Sequence, residues 1–317
     1  MDTELFKTKF DAIMNKTNVI KAERKTKNRV CGILLAAAVL GIVLSILVIK
    51  GGLKAAFIAG FLLLGVIAFL ILRKSLEGIQ EAEAAMKPEF SEKVFLPMLN
   101  TALSSNPCAE PSPRMKELMD AFVDLKFEEP LFRPYIVTGE RRGKRYEAVT
   151  GIRTAVREKK DEIIYEEMPI GTYVMISDPA SHDATVLMSR FRKGIFLPNE
   201  FCTMSKVKLD SKKNPYTVYC EDTNAAFRFL PPVKLEKMIS LDKTDQVDWM
   251  LAEKDSFFGH TDLSVILPEY CDPLNKDPKA NASKLTFDIL KTEAENEAES
   301  LTALIDKMID MSARPML

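Results

Sequence analysis

The stretch "GERRGKR", Gly139 to Arg145, sets two glycines among five charged side chains, a composition that could serve phosphate binding. A phosphate-cradling loop needs four residues between its first Gly and the Gly-Lys pair, and a Ser or Thr after the Lys to hold the metal. Here Glu140, Arg141 and Arg142 alone separate Gly139 from Gly143, and Arg145 follows Lys144. The spacing instead predicts a solvated turn between two strands. It leaves Arg141, Arg142, Lys144 and Arg145 as candidates for contact with anionic lipid or an acidic partner.

The two histidines, His182 in "SDPASHDATV" and His260 in "FFGHTD", offer little else. Asp178, His182 and Asp183 could bind a metal, yet Asp and Pro at that spacing also build ordinary turns, and no further ligand is evident. No G-x-S-x-G or H-E-x-x-H occurs, so hydrolase and metalloprotease readings lack their usual residues. Cys31, Cys108, Cys202, Cys220 and Cys271 are odd in number and contain no CxxC pair, which suggests neither zinc nor a disulfide framework. No catalytic, metal or cofactor-binding residue is assigned. Trp249 with Phe257 and Phe258 reads as core, and "TEAENEAES" as an exposed helix face or hinge.

The elements that must position these groups begin with two charge-free runs, Val30 to Ile49 and Ala55 to Leu72. As helices they would span about 30 and 27 Å, which matches a hydrocarbon core. Buried helices of water-soluble proteins usually carry a polar stripe, and neither run has one beyond Ser45. Lys7, Lys9, Lys16, Lys21, Arg24, Lys25, Lys27 and Arg29 precede the first run and Arg73, Lys74 and Lys87 follow the second, against Lys50 and Lys54 in the link. That asymmetry predicts a hairpin turning at Gly51 and Gly52, multi-pass, with both termini cytoplasmic. Ala37, Gly41 and Ser45, and Ala56 with Gly60, recur every four residues, a pattern for helix packing within the hairpin or between copies in a homo-oligomer. Ser45 alone supplies no polar pathway for transport.

The rest of the chain predicts an α+β fold: a mainly antiparallel β domain with flanking helices and a C-terminal helix. The segments are 1–29, basic and amphipathic; 30–72, the transmembrane hairpin; 73–128, a helical stalk or first helical layer with Ser91 as a cap; and 129–317, the cytoplasmic domain. In the last, "PYIVTG", "KRYEAVTGIRTAVRE", "EIIYEEM", "TYVMIS", "ATVLMSRF", "KGIFLP" and "DLSVILPEY" alternate as strands. "YTVYCEDTNAAFRFL" reads as a hairpin turning at Asp222 to Asn224, Pro231 and Pro232 open a helix, and Leu301, Leu304, Ile305, Met308 and Ile309 form one face of the final helix. A net charge of −1 gives no reason to expect nucleic acid.

Tyr216, Val218, Tyr219, Asp222, Ala226, Arg228, Leu230, Pro232, Glu236 and Leu241 reproduce a spaced pattern, and "EKVFLPML", "YIVTGERRGKRYEAVTG", "FRKGIFLPNEF" and "LSVILPEY" flank it in order. In this the chain resembles a bacterial two-transmembrane family catalogued as domain of unknown function thirty-one thirty-seven. The resemblance implies a protein anchored in the bacterial inner membrane and no particular chemistry. The favoured function is a membrane-anchored binding or scaffolding module that recruits a cytoplasmic protein or reads lipid head groups. The alternatives are a membrane-associated enzyme with a site built from separate strands, and a small pore of oligomerised hairpins.

Overall fold

The computed structural model describes residues 3–48, 53–108, 110–122, 131–159, 162–177, 184–190, 201, 203–208, 215–245, 247–263 and 285–313. The chain divides into two compact units, Met1–Pro97 with Leu267–Lys291, and Met98–Ile266 with Thr292–Leu317. The expected strands "KGIFLP" and "DLSVILPEY" lie almost wholly outside the described residues.

In the first unit, α1 (Thr3–Val48) and α2 (Leu53–Phe90) run side by side in opposite directions. Phe61 covers Gly41, Ala38 faces Gly65, Thr17 meets Met86 and Lys16 pairs with Glu89 at 3.0 Å. Nothing breaks α1 at residue 29, because Ala22 to Val30 contains neither Gly nor Pro and is rich in straight-chain residues. The Thr17 and Ser45 hydroxyls donate to carbonyls one turn back, at 2.9 and 2.7 Å, so neither polar group is left unsatisfied. Among the described residues α1 is the one helix long and apolar enough to cross a membrane, with 6% of its most apolar window buried. Phe6, Phe10 and Ile13 are buried, Phe10 lying 6.0 Å from Phe90 and 5.9 Å from Phe287 between ring centres, so this end of α1 packs against protein.

Ser91 does not cap a new helix. The chain passes from α2 into a single π turn, Ser91–Phe95, with Leu96 N donating to Ser91 O, and on into α3 (Leu96–Leu103). Pro97 has no N–H for the next bond, and the ladder widens one turn before it.

Among the described residues the second unit is built on one nine-stranded sheet in which all pairs are antiparallel. Its strands are β1 (Asn106–Cys108), β2 (Leu131–Arg141), β3 (Lys144–Lys159), β4 (Glu162–Ser177), β5 (Val186–Ser189), β6 (Ser205–Val207), β7 (Thr217–Cys220), β8 (Val247–Ala252) and β9 (Ser256–Thr261). They lie in the order β1-β2-β3-β4-β9-β8-β5-β7-β6. Helices cover both faces. Ile136, Val149, Tyr173, Leu187, Trp249, Leu251 and Phe258 share one face by register and pack with Met115, Leu118 and Met119 of α4 (Pro113–Phe122). On the other face Gly259 admits α7 (Phe287–Ser312), since a Cβ there would lie 2.6 Å from Met308 Sδ. The stripe Leu301, Leu304, Ile305, Met308 and Ile309 is buried.

Three expectations change. "EIIYEEM" and "TYVMIS" are one strand, β4, in which Gly171 at φ 77° carries the chain through an irregularity instead of ending it. "TNAAFRFL" is not the return strand of a hairpin: Asp222 caps α5 (Thr223–Phe229), its carboxylate accepting from Asn224 N at 2.9 Å, and Ala225, Ala226 and Phe229 make the buried helical face. α6 (Pro232–Asp245) begins at its expected proline. β8 and β9 supply a hairpin around Trp249 and Phe257 that was read only as core, and "TEAENEAES" is a continuous part of α7.

Candidate functional site

The four basic residues singled out in the sequence cluster at the β2–β3 turn. Arg141 pairs with Lys144, leaving Arg142 and Gly143 as a two-residue loop with φ of 53° and 75°. Both values are positive, as a type I′ hairpin requires, and Gly143 takes its value without Cβ strain. Arg141 then reaches α7, where Nε and Nη2 donate to the two Asp306 oxygens at 2.6 and 2.7 Å. Arg142 Nη1 donates to Asp310 Oδ1 at 2.9 Å and Lys144 Nζ to Ser312 Oγ at 3.4 Å. Asp306 and Asp310 stand one turn apart, so the turn of the hairpin grips the last turns of the helix. The Arg141 hydrogen bonds hold the Asp306 carboxyl below its ordinary value, and reciprocally raise Arg141. Arg145 is exposed.

The expected helix-packing residues divide. Gly41 lies under the Phe61 ring, where a Cβ would come within 2.6 Å, and Ser45 is buried. Ala37 and Ala56 are exposed, and a Cβ on Gly60 would meet nothing within 4 Å. Ala38 and Gly65 make the contact that a four-residue repeat alone did not indicate, because the facing residue is set by the partner helix.

Asp178, His182 and Asp183 lie outside the described residues. His260 is buried on β9, with Nε2 3.0 Å from Ile170 O. A carbonyl only accepts, so Nε2 carries the proton there. Nδ1 lies 3.4 Å from Asp248 Oδ2, within ion-pair range but without a hydrogen bond, and the ring centre is 4.4 Å from that of Tyr173. Next to it Thr150 Oγ1 donates to Gly171 O at 3.1 Å and Thr172 Oγ1 to Leu263 O at 2.6 Å. This polar knot lies where the β3–β4 register shifts after Thr150 and where β4 takes up its first pair with β9, Thr172 with Thr261. Trp249 stacks on Phe122, 4.1 Å and 16° apart, and is core. Among the described residues Cys31, Cys108 and Cys220 are free thiols.

Sequence reading missed three polar contacts. Arg114 pairs with Glu253 as well as Glu117, Ser112 N donates to buried Glu147 at 2.8 Å, and Lys234 Nζ sits 3.4 Å from the Phe229 ring centre while donating to Ala313 O at 3.1 Å. Arg114–Glu253, Ser112–Glu147 and Lys234–Ala313 are remote in sequence, and no local pattern announces them.

The positions that carry the family resemblance also have structural duties. Tyr216 Oη donates to Val247 O at 2.8 Å, Val218 is buried on β7, Asp222 caps α5 with Arg228 3.7 Å away, Ala226 and Leu230 are buried, Pro232 opens α6, and Leu241 is buried on it. They specify a strand–helix–helix unit.

What the geometry defines is an α+β protein with an antiparallel sheet, a long apolar N-terminal helix and a C-terminal helix docked on the sheet. No family profile matches the chain, and no curated protein does. Among solved structures, the crystal structure of the mycobacterial trehalose monomycolate transport factor A aligns over 70% of this chain and 98% of that chain, with 12% identity and a TM-score of 0.35. At that score the similarity carries no conclusion about fold or function.

Proposed function

We propose that α1 and α2 form a two-span hairpin in a bacterial inner membrane, with both termini cytoplasmic, and that the α+β unit is a non-catalytic module recruiting a cytoplasmic protein. The observation that carries this reading is the apolar exposure of the two helices. Ile33 is 68%, Leu47 73% and Leu63 63% exposed, with Leu40, Val39, Val66 and Leu70 alike, whereas among the large apolar residues described in the sheet unit such exposure is confined to Phe227, Val233 and Leu263. Burying one such side chain is worth about 1.5–3 kcal/mol, so a surface of this kind needs an apolar surrounding. Against an enzyme stands the engagement of the polar groups: arginine turn, His260 and Glu147 are each tied to fold contacts.

Cysteines introduced at Gly51 and at the C-terminus, in a chain with its own cysteines replaced, should react with an impermeant reagent from opposite sides of the membrane. Labelling from one side would sink the hairpin. Purification of the full chain in mild detergent should recover a stoichiometric partner, and its repeated absence would remove the recruiting role. We also propose membership of the two-transmembrane family that Tyr216 to Leu241 resembles. Replacing that segment with a family member's should preserve cooperative unfolding, and loss of folding would count against it.

A further inference from the structure

We propose that α1 and α2 together carry a collar that binds anionic phospholipid head groups, centred on Lys25 and Arg29 of α1 and Lys74 of α2. The proposal rests on the membrane reading above and names a ligand for that anchor. Its basis is the register of the two helices. Ala38 faces Gly65 and Thr17 faces Met86, so each step along α1 is matched by one step back along α2. Continuing that register puts Arg29 level with Lys74, and Val30 level with Arg73. The start of the first apolar run and the end of the second therefore lie at one level, though these two points are more than forty residues apart in the sequence.

Just beyond that level the band from Lys21 to Arg29 and from Arg73 to Ala82 holds Lys21, Arg24, Lys25, Lys27, Arg29, Arg73 and Lys74 against Glu23, Glu77 and Glu81. Two of these acids are paired locally, Glu23 with Lys27 at 2.6 Å and Glu77 with Arg73 at 3.1 Å. Lys25, Arg29 and Lys74 are exposed on the rim of the apolar surface. Cations adjoining an apolar band sit at the depth of phosphodiester groups, where anionic lipid offers a net charge that zwitterionic lipid lacks. The continuity of the two surfaces selects a bilayer lipid over a nucleic acid or an acidic protein, neither of which would cover the apolar side. Arg141 and Arg142 at the β2–β3 turn are instead gripped by α7.

The test reconstitutes the full chain in phosphatidylcholine vesicles containing trace spin-labelled phosphatidylglycerol or phosphatidylcholine, and reads the motionally restricted lipid by electron paramagnetic resonance. The expected result is a preference for phosphatidylglycerol of about fivefold, one basic group's worth at the surface, shrinking as salt rises. The combined variant Lys25→Gln, Arg29→Gln, Lys74→Gln should bring the two lipids to near parity, since Gln keeps helix propensity while removing the charge. Lys7→Gln with Lys9→Gln should leave the preference intact, because those residues lie about 30 Å along α1 from Val30, beyond the ~10 Å screening length at 0.1 M salt. Equal restriction of both lipids by the wild-type chain, or a preference untouched by the triple variant, would overturn the collar. Absence of restricted lipid of either kind would overturn the anchoring reading itself, and the collar with it.

Discussion

Leu63 on α2 and Leu187 on β5 are the same side chain in opposite settings, 63% exposed in one and 0% in the other. The sheet unit follows the rule for a water-soluble core: two faces alternate along each strand and helices cover both. The paired helices invert it, with glycine, alanine and hydroxyl groups turned between α1 and α2 and leucines turned outward. Hydrophobic burial within the chain thus stabilises the sheet unit and the N-terminal end of α1 around Phe10 and Phe90, while close backbone approach and internally satisfied hydrogen bonds hold the apolar stretch of the helix pair.

The sharpest way to break that comparison is one substitution made in both units. Leu118→Ala empties a fully buried site on α4 and should cost about 2–5 kcal/mol in denaturant unfolding of the full chain in detergent, through lost transfer energy and a residual cavity. Leu63→Ala should shift the same transition within error. Comparable losses from both would mean that α2 is buried in protein, and the exposed-face reading would fail.

Next in size is the α1–α2 contact. Ala38→Cys with Gly65→Cys should form a disulfide on oxidation, because the second Cβ would lie 3.7 Å from the first, close to the disulfide optimum. Adding Gly41→Val forces atoms into the Phe61 ring, an overpacking cost of about 1–3 kcal/mol that should lower the cross-linking yield. Gly60→Val, with open space at its Cβ, should not. A smaller effect belongs to the sheet unit: Asp222→Ala removes the α5 cap and should cost about 1 kcal/mol, read in the same denaturant assay.

The contrast between the two units also explains what could be read from the sequence. The apolar stretches of both long helices were legible because twenty and eighteen residues without a charge leave few alternatives, while the continuity of α1 back to Thr3 was not; β2, β3 and α7 were legible because their periods of two and 3.6 are clean. Asp222 misled because Asp-Thr-Asn is equally good turn and cap chemistry; what decides is the helical spacing of Ala225, Ala226 and Phe229 against Phe257, which a strand reading of "AAFRFL" also accommodates. The β2–β3 turn was legible as a turn. Its partner was not, because Asp306 is 165 residues from Arg141 and only tertiary packing of α7 on the sheet brings them together.

The smallest effects lie on α7, where two carboxylates are shifted in opposite directions. Asp306 is lowered, first by its Arg141 hydrogen bonds, so its contribution is present above the ordinary Asp value of about 3.9 and is lost as pH falls through its lower folded value. Both partners are partly exposed, so Asp306→Asn should cost no more than about 1 kcal/mol at pH 7. Glu297 is raised, first by burial and then by Glu293 one turn away. Its favourable contribution is complete below the ordinary Glu value of about 4.3 and is lost as pH rises through its raised folded value. Glu297→Gln should therefore stabilise the chain at pH 7 by a few tenths of a kcal/mol, the scale of a like-charge pair at that spacing, and the gain should disappear by about pH 4. Urea midpoints at pH 7, 4.5 and 3 separate the two. The Asn variant must lose and the Gln variant must gain at neutral pH, and a loss in both would mean that the Glu297 carboxylate makes a stabilising contact in the fold.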